Sequence, residues 1–249
     1  EIIASGPRYR EIAPHLTAER LVWTGPFRDA VDEIRALRGR RVAVLVAGDP
    51  LWYSAGARLA EMFPPGEVTF HPQISAFQLA AARMRWSLAD TATLTVQGRP
   101  VAQAIPHFAH GARLLILTRD SGTPAAIAQL LTEAGLGESQ MTVLGALGGP
   151  EESRLEGIAA RWHGDAPDFH TLAVDCIAAP GTRPLPLTAL PEGALSDDGA
   201  LPAREHRAAA LAALSPRRGQ LLWAAGAGGT AVAIEWMRAA RDARAVALE

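Results

Sequence analysis

Gly48, Asp49 and Pro50 end an apolar run in the stretch VLVAGDPLWYSAG. Each residue type brings a different capacity. Glycine lets the backbone come close to a ligand or take a φ that other residues resist. The carboxylate accepts hydrogen bonds from hydroxyls or nearby N–H groups. Proline suits the first position of a following helix. The tripeptide has two readings, then: a turn that holds a ligand, or a capped helix start with Asp49 as N-cap and Pro50 as N1. In open α/β sheets ligands collect beyond the C-terminal ends of the strands, which is where this turn falls.

A second glycine turn, GAGGTA at 226–231, follows LLW and opens a helical pattern, and Glu249 closes the next strand-like run. Glycines at a helix start with an acid at the end of the second strand are the layout of a nucleotide-type site, with Gly226 and Gly228 against the ligand and Glu249 on ribose hydroxyls. Simple packing of helix on strand explains the same glycines. In VQGRP, Gly98 and Arg99 end another strand, and an arginine there can pair with a ligand carboxylate.

Other chemistry-bearing residues read as structural. His107 and His110 are spaced i, i+3, but two ligands do not make a zinc site and no Cys/His cluster joins them, so they read as surface residues and no metal site is expected. His71 lies at a strand end and is expected to be exposed. Arg83 and Arg85 near a helix end offset the helix dipole. Cys176, the one cysteine, sits in the apolar run TLAVDCIAA and is expected to be a buried structural thiol. There is no Ser–His–Asp order, P-loop or carboxylate pair with clear catalytic geometry.

The elements that must position these residues alternate. Strands are expected at 1–5, 20–23, 40–48 (continuous and covered on both faces), 67–72, 91–98, 112–119, 141–149 and 171–178. Helical patterns are expected at 27–39, with Phe27, Val31, Ile34 and Leu37 on one stripe, and at 51–63, 75–84 and 123–135. A short helical segment is expected at 152–162. Repeated strand–helix order implies a parallel α/β sheet, with an antiparallel part in the second half where strands crowd together. Residues 179–202 are rich in Pro, Gly and Asp and read as a linker or extended arm. After them come a helix at 203–215 and one βαβ unit.

The 249 residues allow one large or two smaller domains. A hydrophobic share of 49% supplies a core, and a net charge of −2 without a basic stripe excludes the electrostatic footprint of a dedicated nucleic-acid binder. No apolar run is long enough to span a membrane. A cytoplasmic protein is expected. The chain opens on Glu1 and ends on a strand, and it is expected to be a piece of a longer protein.

Taken in order, VAVLVAGDPLWYSAG, HPQISAFQLAAARM, VQGRP, LILTRDSGTPAAIAQLLTEAGLG and VLGALGGPEES resemble the tetrapyrrole (corrin/porphyrin) methylases, in particular the branch that methylates C5 of a corrin precursor in cobalamin synthesis. The tail from Arg204 resembles the start of the decarboxylating, C15-methylating domain fused to that branch. The resemblance implies a two-lobed methylase domain over residues 1–178 with the cofactor cleft between the lobes, a linker at 179–202, and at 203–249 the first βαβ unit of a Rossmann-like methyltransferase domain. It implies S-adenosyl-L-methionine as cofactor, S-adenosylhomocysteine as product, a precorrin as substrate, and a homodimer. It places Gly48, Asp49, Pro50, Tyr53, Ser75, Ala76, Ala146 and Leu147 against the cofactor and Gly226, Gly228 and Glu249 at the cofactor of the tail domain; Arg99, from its place at a strand end, is then expected to hold a substrate carboxylate. The family's first strand and glycine-rich loop are expected to precede Ile2. Departures from the family pattern are Gln97 for a histidine, Ala146 and Ala224 for acids, and Thr230 for a third glycine. Two alternatives stay open: a truncated or degenerate copy that binds tetrapyrroles without catalysis, and a methylase of another tetrapyrrole.

Overall fold

The computed structural model describes the chain apart from Pro26, Arg183, Pro184, residues 196–200, Ala227 and Glu249, and apart from the side chains of Arg8 and Arg28. The chain divides into two compact units, Glu1–Ala89 and Asp90–Glu249.

The first unit holds β1 (Ile2–Ser5), β2 (Glu19–Val22), α1 (Phe27–Ala36), β3 (Val42–Leu45), α2 (Gly56–Met62) and α3 (Ala76–Met84). The three strands form a parallel sheet in the order β2-β1-β3. Ser5 pairs with Leu45, so β1 and β3 run out at the same edge. Val31 and Ile34 of the expected α1 stripe are buried, and with Ala4 and Leu59 they form the core of this unit. The loop after β1 is held by Arg20, whose guanidinium donates to the carbonyls of Arg10, Ile12 and Ala13 at 3.0, 2.9 and 2.7 Å.

Three expectations for this unit are corrected. β3 is a short edge strand with Ala43 exposed, not a strand covered on both faces. Residues 67–72 form no strand; their one pairing is a bridge from Val68 to Pro65. Pro64, Pro65 and Pro72 bracket that run and remove donors a ladder needs. The helix expected from 51 begins five residues later, at Gly56.

The second unit carries β4 (Thr91–Thr95), β5 (Arg113–Leu117), α4 (Thr123–Glu133), β6 (Gln140–Gly145), β7 (Ser153–Ile158) and β8 (His170–Asp175), in the sheet order β4-β5-β8-β6-β7. β4 and β5 are parallel, and the other neighbours are antiparallel. Leu114, Ile116, Met141, Val143, Leu172 and Val174 alternate on strand faces and pack with Ile127 and Leu131 of α4. Full burial of each such aliphatic side chain contributes about 1.5–3 kcal/mol. Pro124 lies in the first turn of α4, where a missing N–H costs little. The helical segment expected at 152–162 is instead the edge strand β7 followed by a single 3-10 turn, Ala159–Arg161. Gly157 disfavours helix, and a Cβ there would stand 2.9 Å from the Trp162 ring, so its bareness lets the indole lie on the strand.

The tail of this unit comprises α5 (Arg204–Leu214), β9 (Leu221–Ala225), α6 (Gly229–Ala239) and β10 (Arg244–Leu248). β9 and β10 pair in parallel around α6, giving the expected βαβ unit. The arm before α5 is fastened to these helices. Glu235, fully buried, accepts from the N–H groups of Ala189 (2.6 Å) and Leu190 (3.2 Å) and from Arg207 Nε (2.8 Å). Arg207 also donates to the carbonyls of Pro202 and Leu190. Arg238 adds hydrogen bonds to Leu187 and Pro186 carbonyls. A buried ion pair survives only when its remaining donors and acceptors are satisfied, and here the arm's backbone satisfies them.

Candidate functional site

In the first unit the chain leaves β3 and turns at Gly48, which takes φ +57°. A Cβ at Gly48 would lie 2.9 Å from Ser75 Cα, so the turn and the start of α3 touch backbone to backbone. Asp49 is not a helix cap. Its Oδ1 accepts from Leu51 N–H at 2.8 Å, and its carbonyl accepts from Trp52 N–H at 3.3 Å, closing a turn with buried Pro50 inside it. Tyr53 then takes φ +53°. Those dihedrals delay α2 until Gly56, where a side chain would run into the Pro50 carbonyl.

α3 starts with Ser75 in N-cap position and Ala76 as first residue. Gln78 Oε1 accepts from Ser75 N–H at 2.6 Å, the return half of a capping box. The Ser75 side chain faces the backbone of Gln78 in the same box, and its buried hydroxyl makes no close hydrogen bond. Phe77, in the same turn of α3, packs on the rings of Trp52 (5.0 Å) and Tyr53 (5.9 Å). A cavity of about 920 Å³ runs along β3 and reaches Gly48, Pro50 and Gly56. The structure thus gathers Gly48, Asp49, Pro50, Tyr53, Ser75 and Ala76 in one place. A polar turn and a helix N-terminus beside an apolar cavity fit a small ligand with a polar end and an apolar body.

The remaining expected residues lie in the second unit. β4, β5 and β6 point the same way across the sheet, with Thr95, Leu117, Thr171 and Leu144 in one row. Arg99, exposed, follows β4, and Ala146 and Leu147 follow β6, so they share one sheet edge about 14 Å apart by strand spacing. Ala146 takes φ +44°, and its N–H donates to the Phe169 carbonyl at 3.1 Å. At the same edge Gln97 Nε2 donates to the Thr118 carbonyl (3.1 Å), and Thr118 Oγ1 to the His170 carbonyl (2.6 Å). His170 is buried; its Nδ1 is 2.6 Å from the Pro167 carbonyl, and Nε2 has no partner. Burial lowers its pKa, against opposing effects of the Pro167 carbonyl, Asp120 and Asp168. Asp120 is itself held below the usual carboxylate value, first by its hydrogen bond from Arg119 and then by that from Thr123.

In the tail, Gly226 (φ +93°) donates its N–H to the Leu248 carbonyl, and Gly228 (φ +83°) is the N-cap of α6. The expected ribose acid, Glu249, lies outside the described residues. Of the residues expected to be structural, Cys176 is fully buried, and burial raises its thiol to about 11. His71, His107 and His110 are exposed, with His110 Nδ1 accepting from Ala178 N–H. Among the described residues, no group of three or more His, Cys, Asp or Glu could hold a metal ion, and no helix is long and apolar enough to cross a membrane.

Phe77, Gln78 and Gly56 were not singled out by type or spacing. For Gln78 a signal exists, the Ser-x-x-Gln spacing before an apolar helix. Phe77 carries none, since an aromatic on an apolar helix face is ordinary core.

Parallel strands running out into a glycine turn beside a helix N-terminus place the first unit in the α/β class. Residues 8–160 match the family model for Tetrapyrrole (Corrin/Porphyrin) Methylases, and the chain belongs to that family. Residues 193–249 match the model of a precorrin methyltransferase domain. The chain is 40% identical over 251 aligned residues to a precorrin-6Y C(5,15)-methyltransferase [decarboxylating] of Sinorhizobium sp, covering 100% of this chain and 61% of that protein. It is 39% identical to the protein of the same description from Mycobacterium tuberculosis (strain CDC 1551 / Oshkosh), covering 94% of this chain and 59% of that protein. The chain thus spans about three fifths of the length of these curated relatives. Among solved structures, it resembles a cobalamin-biosynthesis precorrin-6Y methylase from Archaeoglobus fulgidus (25% identity, TM-score 0.55, 71% of this chain and 84% of that one). The fold also matches a uroporphyrin-III C-methyltransferase from Thermus thermophilus complexed with S-adenosylhomocysteine (15% identity, TM-score 0.52, 70% of this chain and 84% of that one).

Proposed function

We propose that this chain is part of an S-adenosylmethionine-dependent methyltransferase that methylates C5 of a precorrin in cobalamin synthesis, and that the full-length protein also methylates C15 with loss of a carboxylate. The observation that carries this reading is the Gly48–Asp49–Pro50 turn set against the N-cap of α3, in a chain 40% identical along its whole length to a precorrin-6Y C(5,15)-methyltransferase.

The residues present fit the cofactor: the bare Gly48 lets the turn lie against the start of α3, so that a polar turn and a helix N-terminus sit together at the end of the cavity. When bound, S-adenosylmethionine supplies a methyl group already activated on a positively charged sulfur and leaves as S-adenosylhomocysteine. The protein therefore needs neither a covalent nucleophile nor a metal of its own. Its task is alignment of the accepting carbon and the methyl group, at a near-attack distance of ~3–3.5 Å. In this reading Gly48, Asp49, Pro50, Tyr53, Ser75, Ala76, Ala146 and Leu147 contact the cofactor, and Arg99 pairs with a substrate carboxylate. Gly226, Gly228 and Glu249 serve the cofactor of the second domain, residues 203–249 being its start. The protein acts in the cytoplasm as a homodimer.

The test is transfer of a labelled methyl group from S-adenosylmethionine to a precorrin by the full-length protein, followed by mass spectrometry. The expected product carries two labelled methyl groups, at C5 and C15, and has lost one carboxylate as carbon dioxide. Label-free precorrin, with label passing instead to another tetrapyrrole such as uroporphyrinogen, would overturn the choice of substrate.

A further inference from the structure

The loop between β3 and α2 is closed at its start by Asp49 and at its end by Pro50 folding back over Gly56. Leu51 and Trp52 N–H groups return to Asp49, and beyond them come Ser54, Ala55 and Gly56, which offer no large side chain. Tyr53 nonetheless sits at φ +53°, a conformation uncommon for a bulky residue. Such a conformation persists where the surroundings over-determine it. The first turn of α3 supplies that constraint at two points. Ser75 meets the loop at Gly48, and Phe77, 1% exposed, meets it at Trp52 and Tyr53. The Phe77 ring lies tilted by 38° under Trp52 and edge-on, at 65°, to Tyr53. The edge-on contact with Tyr53 is the T-shaped arrangement that aromatic rings prefer.

We infer that Phe77 is a positioning residue for the cofactor turn, acting through Tyr53. It fixes the left-handed Tyr53 so that this ring and the turn before it present one conformation to the ligand. Affinity is gained because the loop is ordered before binding rather than by it. The inference rests on the cofactor reading of the turn proposed above.

The test is calorimetric titration of S-adenosylhomocysteine into the chain and its variants. Phe77→Met removes the ring while keeping most of the apolar volume with a flexible side chain. It should weaken binding about tenfold, the scale of one or two lost ring contacts. Phe77→Tyr, which keeps the ring, should restore most of the affinity. Tyr53→Leu, at a half-buried position that itself meets the ligand, should lose at least as much, and the double variant Tyr53→Leu/Phe77→Met should lose no more than Tyr53→Leu alone. Full additivity, or wild-type affinity in Phe77→Met, would reduce Phe77 to a packing residue and overturn the inference alone. Absence of binding in the wild-type chain would overturn the cofactor reading and the inference with it. If Phe77→Met does not fold, the Tyr53→Leu titration decides: unchanged affinity there also overturns it.

Discussion

Gly48 and Ser75, 27 positions apart in sequence, pack so closely that a single methyl group on Gly48 would come within 2.9 Å of the Ser75 Cα. The end of a strand and the start of a helix are thus locked into one surface.

Gly48→Ala should therefore destabilise the chain twice over, through the left-handed φ of +57° and through the collision with Ser75. Left-handed strain alone costs of order 1–3 kcal/mol. Differential scanning calorimetry should show the melting temperature lowered by several degrees. An unchanged melting temperature would mean that the turn is free to move away from α3.

The pair Arg207–Glu235 is buried on both sides, at 2% and 0% side-chain exposure. Glu235→Ala leaves a buried guanidinium and two arm N–H groups without their acceptor, and should cost about 3–5 kcal/mol. Limited proteolysis should then cut the chain within residues 186–190, where the fastened wild-type arm should resist. Replacing both partners with apolar residues should restore part of the stability but leave the arm cleavable, because its N–H groups still lack acceptors.

Cys176 is enclosed, and its thiol is raised to about 11 by burial. At pH 8 the native chain should react with iodoacetamide far more slowly than the urea-unfolded chain, since the thiolate is the nucleophile. Equal rates would show that β8 opens freely at its end.

His170 sets a pH dependence. Its folded pKa is lowered from 6.5 by burial, so the unfolded chain takes up the proton first as the pH falls. The stability it contributes is complete above about pH 6.5 and is lost as the pH falls from there through the folded value. Denaturant midpoints measured from pH 8 to pH 5 should decline on the acid side, and His170→Gln should flatten that decline. An equally steep decline in the variant would assign the effect to other groups.

Much of this was legible in the sequence, for reasons that differ by element. β5, β6 and β8 are aliphatic runs bounded by turn residues, and α4 announces itself by Pro124. β7 was misread because an edge strand with a mostly solvated face, SRLEGI, can be laid on a helical period as easily as on a strand. The delayed start of α2 was hidden because it depends on the Tyr53 dihedral and on Pro50 folding back over Gly56, neither of which is a local preference. For the site, Gly48, Asp49 and Pro50 were visible as a turn, while the capped-helix alternative gave way to a self-closed turn. Their contact with Ser75 is long-range and has no local signature; the family pattern only sets each of them against one cofactor. The anchoring role of Phe77 has no sequence signature.

The most direct measurement of the central claim is S-adenosylhomocysteine binding by calorimetry, comparing the wild-type chain with Asp49→Ala and Gly48→Ala. The account predicts saturable binding by the wild type, weakened at least tenfold in both variants. Wild-type affinity in both variants would contradict it, because the ligand would then be held somewhere other than the Gly48–Asp49–Pro50 turn.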